Sequence, residues 1–352
     1  MSEINTRSIK QRRAKVANRE NETLNTVHKI GLTDAWNYFI TAKVGEGIRR
    51  RTQDDYSSTW RYFNEWLFEA GYKVRYVNEI TPTMCREYIR YLTEEAPRYK
   101  NHKYMGGDYG KGLATATINM RIRNLKVAFN FWRAENMVRI SPMDNIKCQK
   151  DDIDKIESFT DEQIEALLNA CDQRTYVGFR DYVFQICLLD TGMRMNELLS
   201  ITPESIDIKT RCIHLGAEFN KNRRYRVVPI SQETLKLLFE LIDENKQHFP
   251  HAKRIFLSCY GEEVRDTQMN KRLKYYGEIT GVGKEIRSTA HTWRHTFARN
   301  FILNGGDPYT LMRILGHSSI HMTRRYVQMT DGDVRIKHLE YSPLRKLKKK
   351  IR

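Results

Sequence analysis

The sequence predicts a mainly α-helical protein in two parts: a helical bundle, then a mixed α/β domain of helices with a small antiparallel sheet. Three observations lead there. Apolar and aromatic residues recur at spacings of three and four through most of the chain, as one face of a helix does. Two short runs, CIHL and YRVVPI, instead alternate and contain β-branched residues, so they read as two strands separated by a polar, basic loop. The 352 residues exceed what one hydrophobic core usually organises, so two domains are expected.

Residues 1–30, with IKQRRAKVANRENE, are basic and lack a sustained apolar period, and read as an N-terminal arm. A helical bundle is expected over 31–145. It would hold a short helix near 34–42, a stripe of Tyr56, Trp60, Phe63 and Leu67, a helix opened by Thr81 and Pro82, and a stripe of Ile118, Ile122, Leu125, Phe129 and Trp132. Between the last two lies RYKNHKYMGGDYGKG, residues 98–112. This is a basic, glycine-rich loop with interleaved tyrosines, equally suited to lie along a phosphate backbone or simply to be solvated. Residues 146–158 form the expected linker, and 159–330 the second domain. That domain opens with a Thr160/Gln163 capping box and continues with a helix ending at Gly192. The two strands follow, and helices resume at 232 and run almost to the end. The tail, 331–352, is basic with sparse apolar residues (Ile336, Leu339, Leu344).

Composition narrows the function classes. Sixty Lys and Arg against forty-three Asp and Glu give a formal charge of +17, which favours a polyanionic partner, nucleic acid first. No run of about 18 apolar residues is present to span a membrane, and the N-terminus lacks the apolar core of a signal peptide, so a cytoplasmic, nucleoid-associated protein is expected. The six cysteines form no CxxC pair and have no matching histidines, so neither zinc nor a disulfide framework is expected.

The chemistry-bearing residues cluster late. His291, Arg294 and His295 stand at i, i+3 and i+4 on a helix expected to run to Gly305. Asp307-Pro308 opens the next helix, Gly316 ends it, and His317 falls on the turn. Ser318 or Ser319 then caps a helix expected to carry Arg324, Arg325 and Tyr326. Upstream, Arg194 stands just past the helix-ending Gly192. Singly, each of these is an ordinary polar residue.

Together, TGMRMNELLSI, HTWRHTFA, LGHSS and RRY, in that order and with Tyr326 nine positions after His317, resemble the boxes of the tyrosine recombinase, or phage integrase, family. The resemblance covers about residues 30–330. It implies a SAM-like core-binding domain that clamps DNA, ahead of a tyrosine recombinase catalytic domain. It also implies a catalytic lysine in the turn between the two strands; aligned on the valine and proline of FNKNRRYRVVPI this is Lys221, with Arg223 and Arg224 in the same turn.

The implied chemistry is transfer of a DNA phosphodiester without metal, ATP or other cofactor. Arg194 and Arg294 would neutralise the non-bridging oxygens, because guanidinium stays charged and forks onto phosphate. Tyr326 would attack, His291 would take its proton, His317 would donate to a phosphate oxygen, and Lys221 would protonate the 5′ leaving group. Glu197 would orient Arg194. His295 and His321 read as structural or surface histidines, and Arg325 as a phosphate contact or a solvated side chain. The implied partners are double-stranded recombination sites, three further copies in a tetramer on two duplexes with the tail as a docking segment, and an accessory directionality factor. The basic arm favours an integrase or transposase of a mobile element. A dimer-resolving recombinase, or an inactive DNA-binding accessory protein, is the alternative.

Overall fold

The computed structural model describes residues 29–98, 109–150, 157–216, 225–324 and 326, with 335, 338–342 and 344 of the tail. The chain divides into two compact units at 154/155, inside the expected linker.

Among the described residues of the first unit the α-helices are α1 (Leu32–Gly45), α2 (Arg50–Glu69), α3 (Pro82–Glu94) and α4 (Thr115–Ala134). Helix α3 starts as its sequence dictates: Pro82 is at the first position, and Thr81 Oγ1 accepts the Met84 N–H at 3.3 Å. The apolar stripes meet in an aromatic core in which Trp60 and Trp36 stack at 5.2 Å and Trp132 packs edge-on against Trp60. The Trp132 indole N–H, buried there, donates to the Ala35 carbonyl at 2.9 Å, so the ring adds area without an unmet donor. Ile146 and Met143 are buried in this core, and Gln149 exchanges hydrogen bonds with the Asn119 side chain (2.8 and 2.9 Å). The start of the expected linker is therefore the last strap of the bundle. The base of the basic loop is pinned by Arg98 N–H to the Gly110 carbonyl and Gly112 N–H to the Ala96 carbonyl, while 99–108 lie outside the described residues.

The second unit comprises α5 (Asp161–Asn169), α6 (Tyr176–Thr191), α7 (Met195–Leu199), β1 (Ile206–Asp207), β2 (Cys212–Leu215), β3 (Arg226–Pro229), α8 (Gln232–His248), α9 (Asp266–Ile279), α10 (Ala290–Leu303), α11 (Pro308–Leu315) and α12 (Ile320–Arg324). The sheet is antiparallel in the order β1-β2-β3, and Leu215 pairs with Arg226. Its third strand, β1, is two residues long, too short to leave an alternating pattern in the sequence. Helix α6 runs through the core, buried on most sides, and packs on α8 and α10. Among the described residues no helix is long and apolar enough to cross a membrane.

One boundary differs from the sequence expectation. Tyr326 is not on α12 but in the turn after it, where its N–H donates to the Thr323 carbonyl at 2.9 Å. Five residues are little more than one turn, so a few backbone bonds decide where such a helix ends.

Candidate active site

Two helix-ending glycines build the floor. Gly192 (φ +58°) closes α6 and Gly316 (φ +64°) closes α11, both in the left-handed region that a side chain resists. Space forbids a side chain too: a Cβ at Gly192 would lie 2.3 Å from Phe297 Cδ1, and one at Gly316 2.2 Å from Arg226 Nη1. Each turn leaves a carbonyl facing inward, that of Gly192 and that of Leu315.

Arg294 reaches both. It projects from the buried side of α10 at 5% exposure, donating through Nη1 to the Gly192 carbonyl (2.6 Å) and through Nη2 to the Leu315 carbonyl (2.9 Å). Its Nη2 also stands 3.0 Å from His317 Nε2. Burial, then the charges of Arg194 and Arg226, pull the guanidinium down to about 9, which leaves it charged at neutral pH. One side chain thus ties together the TGMR turn, the LGH turn and the HxxR helix.

Arg194 caps α7 and is half-buried. Its Nη1 pairs with Glu197 Oε1 at 2.8 Å, and its backbone N–H donates to Glu197 Oε2 at 2.9 Å. Glu197, 1% exposed, also accepts Arg226 Nη2 at 2.7 Å. Burial raises the carboxyl, but the Arg226 charge and the Arg194 backbone and side-chain bonds outweigh it, so Glu197 titrates below the ordinary glutamate range and is ionised. Arg226 comes from the inward face of β3. Its Nε and Nη1 are buried with no hydrogen-bond partner among the described residues. The sequence reading missed Arg226; its one signal was an arginine at an inward position of an alternating strand, where only a buried carboxylate makes it tolerable. Two guanidiniums therefore share one carboxylate while a third, that of Arg294, stands near them, and the surplus positive charge in a partly dry site favours a bound anion.

His317 Nδ1 is 2.9 Å from Thr323 Oγ1, a buried hydroxyl on α12. Because Arg294 can only donate, His317 Nε2 accepts there and the ring proton sits on Nδ1, donated to Thr323. Burial, then the charges of Arg294, Arg194 and Arg226, push the imidazole down to about 4, so it is neutral at physiological pH. For Nε2 to donate rather than accept, the ring proton would have to change nitrogen.

The half-buried Tyr326 ring lies parallel to the His317 ring (centroids 6.3 Å, 12° between planes), and its hydroxyl is 2.7 Å from His295 Nδ1. His291 is exposed one turn earlier on α10, its ring centroid 6.5 Å from that of His295. Arg194, Glu197, Arg294, His317 and Tyr326 thus gather in one place, with His291 at its edge. His295, read from sequence as a structural or surface histidine, touches the phenol. Lys221, with Arg223, Arg224, Arg325 and the His321 side chain, lies outside the described residues.

Residues 157–332 match the model of the phage integrase family, and residues 31–150 that of the phage integrase SAM-like domain. Tyrosine recombinase XerC of Staphylococcus haemolyticus is 26% identical over 265 residues, 75% of this chain and 87% of the relative. The integrase of Escherichia phage 186 is 29% identical over 240 residues, 65% of this chain and 62% of that protein. In fold, the chain is similar to the Tn1549 transposon integrase in complex with a circular intermediate DNA (TM-score 0.68, 20% identity, 89% of this chain and 100% of that one). It is also similar to XerH site-specific recombinase bound to difH substrate (TM-score 0.60, 21% identity, 83% and 79%).

Proposed function

The chain belongs to the phage integrase family of site-specific DNA recombinases, and we propose that it cleaves and rejoins DNA through a 3′-phosphotyrosyl link at Tyr326. The observation that carries this reading is the joining of Arg194, Arg294, His317 and Tyr326 around one surplus of positive charge. In the reaction a scissile phosphate takes the place of the carbonyls and Nε2 that now occupy Arg294, and Arg194 holds its other non-bridging oxygen. Tyr326 attacks phosphorus, the P–O5′ bond breaks, and Lys221 supplies the proton to the 5′ oxygen. His317, its ring proton moved to Nε2, donates to the phosphate as charge builds. A histidine of α10 takes the phenolic proton, and the sequence motif by itself points to His291. Since one phosphoester replaces another, rejoining consumes no external energy, and attack by a second 5′ end exchanges strands.

The substrates are double-stranded recombination sites, and the basic arm and the likeness to a transposon integrase favour integration and excision of a mobile element, with a tetramer on two duplexes as the working unit and an accessory factor setting direction. The test uses a duplex nicked beside the cleavage point, so that the released end diffuses away. Wild type accumulates a covalent protein–DNA adduct and Tyr326→Phe accumulates none. Absence of adduct with wild type on DNA recovered as its own bound target would leave only a DNA-binding protein.

A further inference from the structure

We propose that His295, rather than His291, receives the phenolic proton of Tyr326 when it attacks DNA. This rests on the recombinase reading above and assigns the reaction a catalytic residue that the family motifs did not mark in this chain. The geometry is direct: His295 Nδ1 lies 2.7 Å from the Tyr326 hydroxyl, a distance at which a proton passes without rearrangement. The rings are inclined by 46° at 5.5 Å between centroids, so contact is through the nitrogen and not by stacking. His295 is half-buried and His291 exposed, so the inner imidazole is the better fixed of the two.

The charged and titratable neighbours offer the phenolic proton no other acceptor in contact with the hydroxyl. On its own helix His295 has His291 one turn before it and Arg294 beside it, and from the segment after α11 it meets His317 and Tyr326. Arg294 has no acceptor to offer, and in the attack His317 Nε2, carrying the ring proton, faces the phosphate, so neither competes for the phenol proton. Nδ1 accepts when the ring carries its proton on Nε2. As the Tyr326 oxygen bonds to phosphorus and the bond to the 5′ oxygen breaks, the phenolic proton moves to Nδ1, and the 5′ oxygen takes a separate proton from the leaving-group acid. In rejoining both protons return the way they came.

The experiment measures adduct formation by the full-length protein on the nicked duplex across pH. His295→Gln, which can still hydrogen-bond the phenol but cannot take its proton, should bind DNA as wild type does and form adduct at least 100-fold more slowly at pH 7. Its rate should keep rising with pH beyond the point at which the wild-type rate levels off. Added imidazole should restore much of the rate to His295→Ala. Replacing the bridging 5′ oxygen by sulfur, which leaves without a proton, should rescue Lys221→Ala but not His295→Gln. His291→Ala should retain the wild-type pH profile. The proposal is overturned by near-wild-type rates in His295→Gln, by a slow variant with an unchanged pH profile and no imidazole response, or by rescue with the sulfur-bridged substrate. If wild type itself gives no Tyr326-dependent adduct, the recombinase reading fails first and is seen to fail separately.

Discussion

Arg294 Nη2 stands 3.0 Å from His317 Nε2, and this contact decides which nitrogen of the imidazole carries its proton. A permanent donor on one ring nitrogen and a hydroxyl on the other, at 2.9 Å, hold His317 neutral with its proton facing Thr323. Folded His317 titrates at about 4, below the unfolded value near 6.5, so the unfolded chain binds more protons between these pH values. Stability from this group is whole above pH 6.5 and is lost as pH falls toward 4. His317→Gln lacks that titration. Between pH 7 and 5 the wild-type melting temperature should therefore fall relative to that of the variant, by ~2 °C for roughly 1 kcal/mol once the ring's exposure is discounted. Parallel melting curves across that range would mean that His317 is not held neutral.

Arginine at 294 is required by geometry as well as charge. Its fork serves the Gly192 and Leu315 carbonyls, 2.6 and 2.9 Å away, from two different nitrogens. An ammonium at the end of a lysine cannot span both while remaining beside His317. Arg294→Lys should keep DNA binding in a gel-shift assay, because that draws on the whole basic surface, yet slow adduct formation by about 100-fold or more. Equal loss of binding and cleavage would instead mean a collapsed site.

How much of this was legible in the sequence follows from range. The caps at Thr81, Thr160 and Asp307 and the stops at Gly192 and Gly316 are local chemistry, and the structure has each where the spacing predicted it. The Arg194–Glu197 pair is also local, one helical turn apart, so Glu197 could be read as orienting Arg194. Arg226 meets Glu197 across 29 positions and His295 meets Tyr326 across 31, and no periodicity encodes either pairing. Tyr326 sitting off its helix was likewise unreadable, since the end of a five-residue helix depends on what packs above it.

Glu197 should prove structural as much as catalytic. Its carboxylate is the shared counter-ion of Arg194 (2.8 Å) and Arg226 (2.7 Å), and two buried donors of Arg226 have no partner among the described residues. Removing it leaves a buried cation with nothing opposite, a loss of about 3 kcal/mol for Glu197→Ala. Pairing the change with Arg226→Met removes that cation as well, so the double variant should be more stable than the sum of the single losses by at least ~1 kcal/mol. Urea unfolding of the four proteins measures this coupling, and strict additivity would mean that the Arg226–Glu197 contact carries no energy.

Gly316 joins conformation to chemistry. Alanine there meets a left-handed backbone costing about 1 kcal/mol, and its Cβ would sit 2.2 Å from Arg226 Nη1 and 2.9 Å from Arg226 Cδ. Relief must come from moving Arg226, which is held by Glu197, or the turn itself, which bears the Leu315 carbonyl and His317. Gly281 is the matched control: its φ is +76°, but a Cβ there meets nothing within 4 Å. Both alanine variants should lose the conformational ~1 kcal/mol, while only Gly316→Ala should lose more stability and, in addition, most of its adduct formation. Thermal melts and the nicked-substrate assay, run on the two variants side by side, separate backbone strain from displacement of the site. If Gly281→Ala impaired cleavage as severely as Gly316→Ala, the contact with Arg226 would not be the reason for the glycine.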